Sequence, residues 1–219
     1  GILGSSCTVY SVLIKSMIGL FKSDSGQIRI DNLDVSTMSG KEKEYFLKNC
    51  GFLFQGGALF DSLTVYENIT FFASRINKMN NNQKKELAAE KLKLVGLESR
   101  ILELYPSDLS GGMQKRVSLA RAICTNPKVI FFDEPTTGLD PIMANVINEL
   151  IIKVKKELGA ITITITHDMH SAKMISDDIA LIIGGKIVWE GTVDQMESSD
   201  NSHLKQFING LTTGPICGN

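Results

Sequence analysis

Val129-Ile130-Phe131-Phe132-Asp133-Glu134 is the segment that most narrows what this chain can be. An apolar strand closed by two acids places both carboxylates at the carboxyl edge of a sheet, where α/β folds bind their ligands. Asp133 is suited there to hold Mg²⁺ through water, and Glu134 to polarise an attacking water. Taken alone, the same pattern also describes a core strand that meets a solvent turn. It does not stand alone. One helix length upstream lies Leu109-Ser110-Gly111-Gly112-Met113-Gln114. Ser110 can cap a helix there, and the two glycines leave backbone N–H groups open to a phosphate, which the helix dipole favours. Ser-Gly-Gly by itself is an ordinary cap; ahead of an Asp-Glu strand it is specific.

The remaining pattern alternates strands with helices. Helices are expected over Ser11–Phe21, Lys41–Lys48, Val65–Ile76 and Asn82–Val95, and from Ser110 to about Cys124. Another is expected over Pro141–Leu158, opened by proline and closed by Gly159, with short terminal ones at Val193–Met196 and His203–Ile208. Strands are expected at Gly26–Asp31, Gly51–Phe54, Lys128–Asp133 and Ile161–Thr166. Ala180–Ile183 and Lys186–Trp189 flank Gly184-Gly185, a hairpin signal. Such alternation predicts a largely parallel α/β sheet. Residues 65–122 read as helices without strands, a helical lobe inserted in that sheet.

Composition excludes several classes. Of 219 residues, 43% are hydrophobic and 21% charged, enough to build a core and too apolar for a disordered chain. A net charge of -1 provides no global basic field for nucleic acid or anionic lipid. The longest apolar runs, Val129–Phe132 and Ile179–Ile183, fall far short of the roughly 20 residues that cross a bilayer. Any membrane role is therefore expected through a partner. Cys7, Cys50, Cys124 and Cys217 are scattered, form no CxxC pair and build no metal cluster with the three histidines; reduced thiols in a cytoplasmic protein are expected.

Three further segments fall in a telling order: Gln55 after the strand Phe52–Phe54, Gly138-Leu139-Asp140 before the proline-started helix, and His167 after the strand Ile161–Thr166. Each alone is unremarkable: a surface glutamine, a turn, a strand-end histidine. Together with Ser110–Gly112 and Asp133-Glu134, they make nearly the entire chain resemble the ABC ATPases. That resemblance implies a P-loop NTPase-like core with an inserted helical lobe (about 65–122) in a single domain over residues 1–219. It implies Glu134, His167 and Gln55 as catalytic residues. It implies ATP held by Gly4, Ser5, Ser6, Thr8 and Ser11 of one copy and by Ser110, Gly111, Gly112, Gln114 and Asp140 at the opposing copy of a head-to-tail dimer. Mg²⁺ would lie at Ser11, Gln55 and Asp133, with Asp133 acting through water.

The phosphate loop departs from that family. Its pattern is G-x-x-x-x-G-K-[ST]; here it reads Gly4-Ser5-Ser6-Cys7-Thr8-Val9-Tyr10-Ser11. Gly4 and Ser11 match, Val9 replaces a glycine, Tyr10 the lysine, and Cys7 a glycine common in the family. A β-branched residue resists the left-handed backbone and close phosphate approach that glycine permits. Poor nucleotide binding and slow turnover are expected. The chain opens on Gly-Ile-Leu-Gly without methionine, and it is read as truncated at its N-terminus, with the strand that supports the loop just upstream.

Gly56-Gly57-Ala58-Leu59-Phe60-Asp61-Ser62-Leu63-Thr64-Val65-Tyr66-Glu67-Asn68-Ile69 and the tail Gln206–Pro215 resemble the ATPases of Mla-type phospholipid transporters. The resemblance implies a multi-spanning permease, a membrane-anchored lipid-binding subunit and a small cytoplasmic regulatory subunit as partners. It implies a place at the inner face of the inner membrane, and a C-terminal extension (about 200–219) that reaches the other ATPase copy. Ala58–Phe60 suits a groove for a permease coupling helix, or simple core packing. A hydrolysis-deficient regulatory or decayed copy is the alternative, because of Val9 and Tyr10. A soluble ABC protein acting on DNA or ribosomes fits less well: the chain has neither a second such domain, nor a long coiled-coil insertion, nor a basic patch.

Overall fold

The computed structural model describes residues 1–4, 7–30 and 33–216, with backbone alone at 7–11 and 33. In chain order it holds β1 (Ile2–Gly4), α1 (Cys7–Met17), the short strands β2 (Arg29–Ile30) and β3 (Leu33–Asp34), α2 (Gly40–Lys48) and β4 (Cys50–Leu53). Then come α3 (Val65–Thr70), α4 (Ala73–Ile76), α5 (Asn81–Leu94), α6 (Gly111–Ala122), β5 (Val129–Asp133), α7 (Pro141–Leu158) and β6 (Ile161–Ile165). The chain continues through α8 (Met169–Ile175), β7 (Asp178–Ile183), β8 (Lys186–Thr192), α9 (Val193–Ser198) and α10 (Ser202–Asn209).

The main sheet has the order β4-β5-β6-β1-β7-β8. Its pairs are parallel except β7-β8, and β2-β3 form a separate antiparallel ladder. β1 therefore lies inside the sheet. The supporting strand is not wholly upstream of Gly1, as expected, but is Ile2–Gly4 itself. Three residues are too few to show a period; pairing on both sides, with Ile2 opposite Ile165 and Ala180, makes the strand.

Helices cover both faces. Along β5, Ile130 and Phe132 join the larger core under α3, α5, α6 and α7, whereas Phe131 points to the opposite face, against Ile14, Ile18 and Phe46. This is the alternation of a strand buried on both sides. Phe52 stacks on its cross-strand partner Phe131 with centroids 5.2 Å apart. Between β4 and β5 the described residues form helices and no strand. No helix among the described residues is long and apolar enough to cross a membrane.

Local chemistry sets most boundaries as expected. Asp140 caps α7, accepting from the N–H groups of Ile142 and Met143, and Gly159 ends the helix at φ 59°. The β7-β8 turn uses Gly184 and Gly185 at φ 56° and 76°, the paired left-handed geometry of a tight hairpin. Differences also occur. Helix α1 starts at Cys7 rather than Ser11, and the helix expected over Val65–Ile76 is broken into α3 and α4. Helix α8 was not expected; it is nucleated by Asp168, which accepts from the N–H groups of His170 and Ser171. The tail folds back on its own helix: Gln206 Nε2 donates to the carbonyls of Leu211 (3.2 Å) and Ile216 (3.0 Å), and Gln206 Oε1 accepts from the Ile216 N–H (2.7 Å).

Cys50 and Cys124 are buried, and desolvation pushes both thiols up to about 12. They are thus neutral in the fold, while the unfolded thiols titrate near 9.0. The unfolded state then binds fewer protons above that value, so each thiol withdraws about 1.4 kcal/mol of stability per pH unit from there towards 12. At pH 8 neither is expected to react with a thiol reagent until denaturant is added. Reaction of Cys50 or Cys124 in the folded chain, read by mass spectrometry of the labelled peptides, would overturn this.

Candidate nucleotide site at the carboxyl edge of the sheet

Four parallel strands end at one edge and deliver the expected residues there. The N–H of Glu134 donates to the Ile165 carbonyl at 2.9 Å, and that of Thr166 to the Ile2 carbonyl at 3.2 Å. Glu134, His167 and Gly4 therefore leave adjacent strands side by side. Leu53 is opposite Phe132, so Gln55 emerges beside Asp133. Ser5 and Ser6 lie outside the described residues. Thr8 and Ser11 lie on α1 by backbone, and their side chains, like those of Cys7, Val9 and Tyr10, are also outside them.

Glu134 is the centre of this edge. Its φ of 49° is a left-handed conformation that costs a residue with a Cβ about 1–2 kcal/mol, a strain characteristic of functional positions. The strain turns a nearly fully buried carboxylate towards two partners. Glu134 Oε1 lies 2.7 Å from His167 Nδ1, and Oε2 accepts from Thr137 Oγ1 at 2.9 Å. With the carboxylate as acceptor, Nδ1 carries the proton of this bond. The ring itself is 58% exposed. A cavity of about 430 Å³ opens beside it, lined by Thr137, Gly138, Leu139, Asn145, His167 and His170.

Helix α6 supports the edge from behind. Lys115 is buried and donates to the Gln55 carbonyl. Burial lowers its ammonium below the usual lysine range, and the Asp133 and Glu134 charges partly restore it. Arg121 donates to the carbonyls of Gly57 (2.6 Å) and Ala58 (2.7 Å), holding a turn in which Ala58 has φ 48°. Phe60, beyond that turn, is 43% exposed. Gln55 itself is exposed.

A second cluster forms at the start of α6. Ser110 Oγ accepts from the Met113 N–H at 3.3 Å, and Gly111 is open to solvent. Gly112 backs onto Met143, whose Cε would lie 2.5 Å from an added Cβ. This packing places Ser110–Gly112 next to Asp140, the cap of α7. Gln114 is not turned to that surface: its Nε2 donates to the carbonyls of Pro106 (2.8 Å) and Leu109 (3.3 Å).

Sequence reasoning missed Thr137, Lys115 and Arg121. Lys115 had a signal, because it falls on the stripe with Ser118, Leu119 and Ala122 that α6 buries. The two others serve backbone and carboxylate groups that only the fold brings near.

The chain belongs to the ABC transporter family, whose model matches residues 1–137. It is 36% identical to the probable ribonucleotide transport ATP-binding protein mkl of Mycobacterium leprae, across 98% of this chain and 62% of that protein. It thus spans about three-fifths of that relative's length. It is 35% identical to the intermembrane phospholipid transport system ATP-binding protein MlaF of Haemophilus influenzae, across 98% of this chain and 81% of that one. Among solved structures, the ATP-binding cassette MJ0796, a dimer in a post-hydrolysis state bound to ADP and Pi, matches with a TM-score of 0.77 and 31% identity, covering 88% of this chain and 84% of that one.

Proposed function

We propose that this chain is the ATP-binding and ATP-hydrolysing subunit of a membrane transporter that moves phospholipid. The observation that carries the reading is the strained, buried Glu134 held between His167 and Thr137 at the edge where Gly4, Gln55 and Asp133 also emerge. In this reading Glu134 polarises the water that attacks the γ-phosphate, His167 faces that phosphate, and Gln55 senses it. Gly4, Ser5, Ser6, Thr8 and Ser11 form the phosphate loop. Ser110, Gly111, Gly112 and Asp140 act from the opposing copy. The oxygen donors Asp133, Gln55 and Ser11 suit a hard cation, which usually keeps waters and shares substrate phosphates. Mg²⁺ bound there supplies charge neutralisation on the phosphates.

The likeness to MlaF and the Gly56–Ile69 stretch support phospholipid as cargo; the name of the mkl relative points to ribonucleotides instead. Residues 65–122 act as a helical lobe that carries Ser110, and residues from about 200 as an extension. The exposed Phe60 and the Arg121-held turn offer a groove to a permease helix, through which the subunit sits on the inner face of the inner membrane. A lipid-binding subunit and a small regulatory subunit complete the partners. The test is affinity capture of the tagged chain from its native membranes. A co-purifying multi-spanning protein, with ATPase activity stimulated by phospholipid and not by ribonucleotides, is expected; capture without any multi-spanning partner would sink the transporter reading.

A further inference from the structure

We infer that Ser171 is a positioning residue, a buried hub that sets the geometry of the Glu134–His167 pair from behind. Its side chain is fully buried on α8, as is that of Asn148 on α7. Ser171 Oγ lies 2.6 Å from Asp168 Oδ2, 2.9 Å from Asn148 Nδ2 and 3.2 Å from Thr136 Oγ1. A hydroxyl has one proton and two lone pairs. The proton goes to the Asp168 carboxylate, so Asn148 and Thr136 both donate, and the hydroxyl is saturated.

The positions of those partners give the hub its role. Thr136 immediately precedes Thr137, which holds Glu134 Oε2. Asp168 immediately follows His167, which holds Glu134 Oε1. One hydroxyl therefore ties together the two chain segments that grip the two carboxylate oxygens. A second path joins them: the Asp168 N–H donates to Thr166 Oγ1 at 3.0 Å, and that oxygen lies 3.5 Å from Glu134 Oε2. Burial alone would raise the Asp168 carboxyl, but the bonds from Ser171 and the N–H groups of His170 and Ser171 outweigh it and hold it below the usual range. Asn148 Oδ1 is buried without a partner among the described residues. An apolar side chain of similar shape would avoid that cost, so stability by itself does not account for the amide, whereas a donor aimed at Ser171 does.

This inference rests on the reading of Glu134 as the catalytic base. The test is NMR of the ligand-free chain, following the His167 ring and the Glu134 side-chain carboxyl. Ser171→Ala is expected to move both sets of resonances towards those seen when the pair is broken, with His167 compared in Glu134→Gln and Glu134 in His167→Ala. The nearly isosteric Thr136→Val, which reads the same link if Ser171→Ala does not fold, shifts them in the same direction. Thr136→Ser, which keeps the hydroxyl, restores the wild-type positions. In steady-state assays the hub variants lower kcat about tenfold with KM for ATP unchanged, as expected for misplaced rather than missing chemistry. Folded Thr136→Val and Ser171→Ala chains with wild-type His167 and Glu134 resonances would overturn the hub. Unchanged turnover in Glu134→Gln would instead overturn the base, leaving the NMR result to judge the hub by itself.

Discussion

Restoring Cys7→Gly, Val9→Gly and Tyr10→Lys together is expected to tighten ATP binding by about a hundred- to a thousandfold, because the loop regains a charge and two glycines that let a phosphate approach closely. One unit charge about 4 Å from another at an effective dielectric near 20 contributes roughly 4 kcal/mol, and less where solvent enters. Tyr10 supplies neither the charge nor the reach of lysine. The loop follows directly from β1, whose last residue Gly4 is buried and paired with Ile182, so the repaired loop starts from a rigid strand end. Titration calorimetry with ATP and Mg²⁺ measures the difference. Equal affinities for the native and repaired chains would show that this family member holds nucleotide without the lysine.

Glu134→Gln is the second change of large effect. Glutamine matches the carboxylate in shape but cannot take a proton, so turnover should fall about 10²- to 10⁴-fold, the usual worth of a positioned base. The glutamine oxygen can still accept from Thr137, but its amide nitrogen then faces His167 Nδ1, so the bond from the ring is lost together with the base. Nucleotide binding should persist, and ATP should then hold two copies together long enough to be seen as a dimer by analytical ultracentrifugation. Measured in the repaired-loop background, a rate within threefold of the parent would remove Glu134 from the base role. A monomer at saturating ATP would argue against the shared site.

The motifs were legible because their chemistry is local. Asp133-Glu134 announces a strand end, Ser110 a cap and Gly159 a helix stop, each within a few residues. The same locality explains the failures. Helix α8 was hidden because its start depends on Asp168, a residue that also reads as part of a strand-end motif. Val65–Ile76 carried one continuous period, yet the structure divides it. Gln114 lies in the signature segment, but its amide serves the loop at Pro106 and Leu109.

By itself, the order of residues determined the family, the strand that ends in two acids, the helix start at Ser110 and the altered loop, since composition and spacing over short stretches suffice for these. Only the tertiary structure decided that Ile2–Gly4 sits between β6 and β7, that Lys115 and Arg121 hold the Gln55–Phe60 turn, and that Ser171 joins the two segments gripping Glu134. Those relations link residues far apart in the chain, and hydrogen bonding between distant segments leaves no periodic trace in a single sequence.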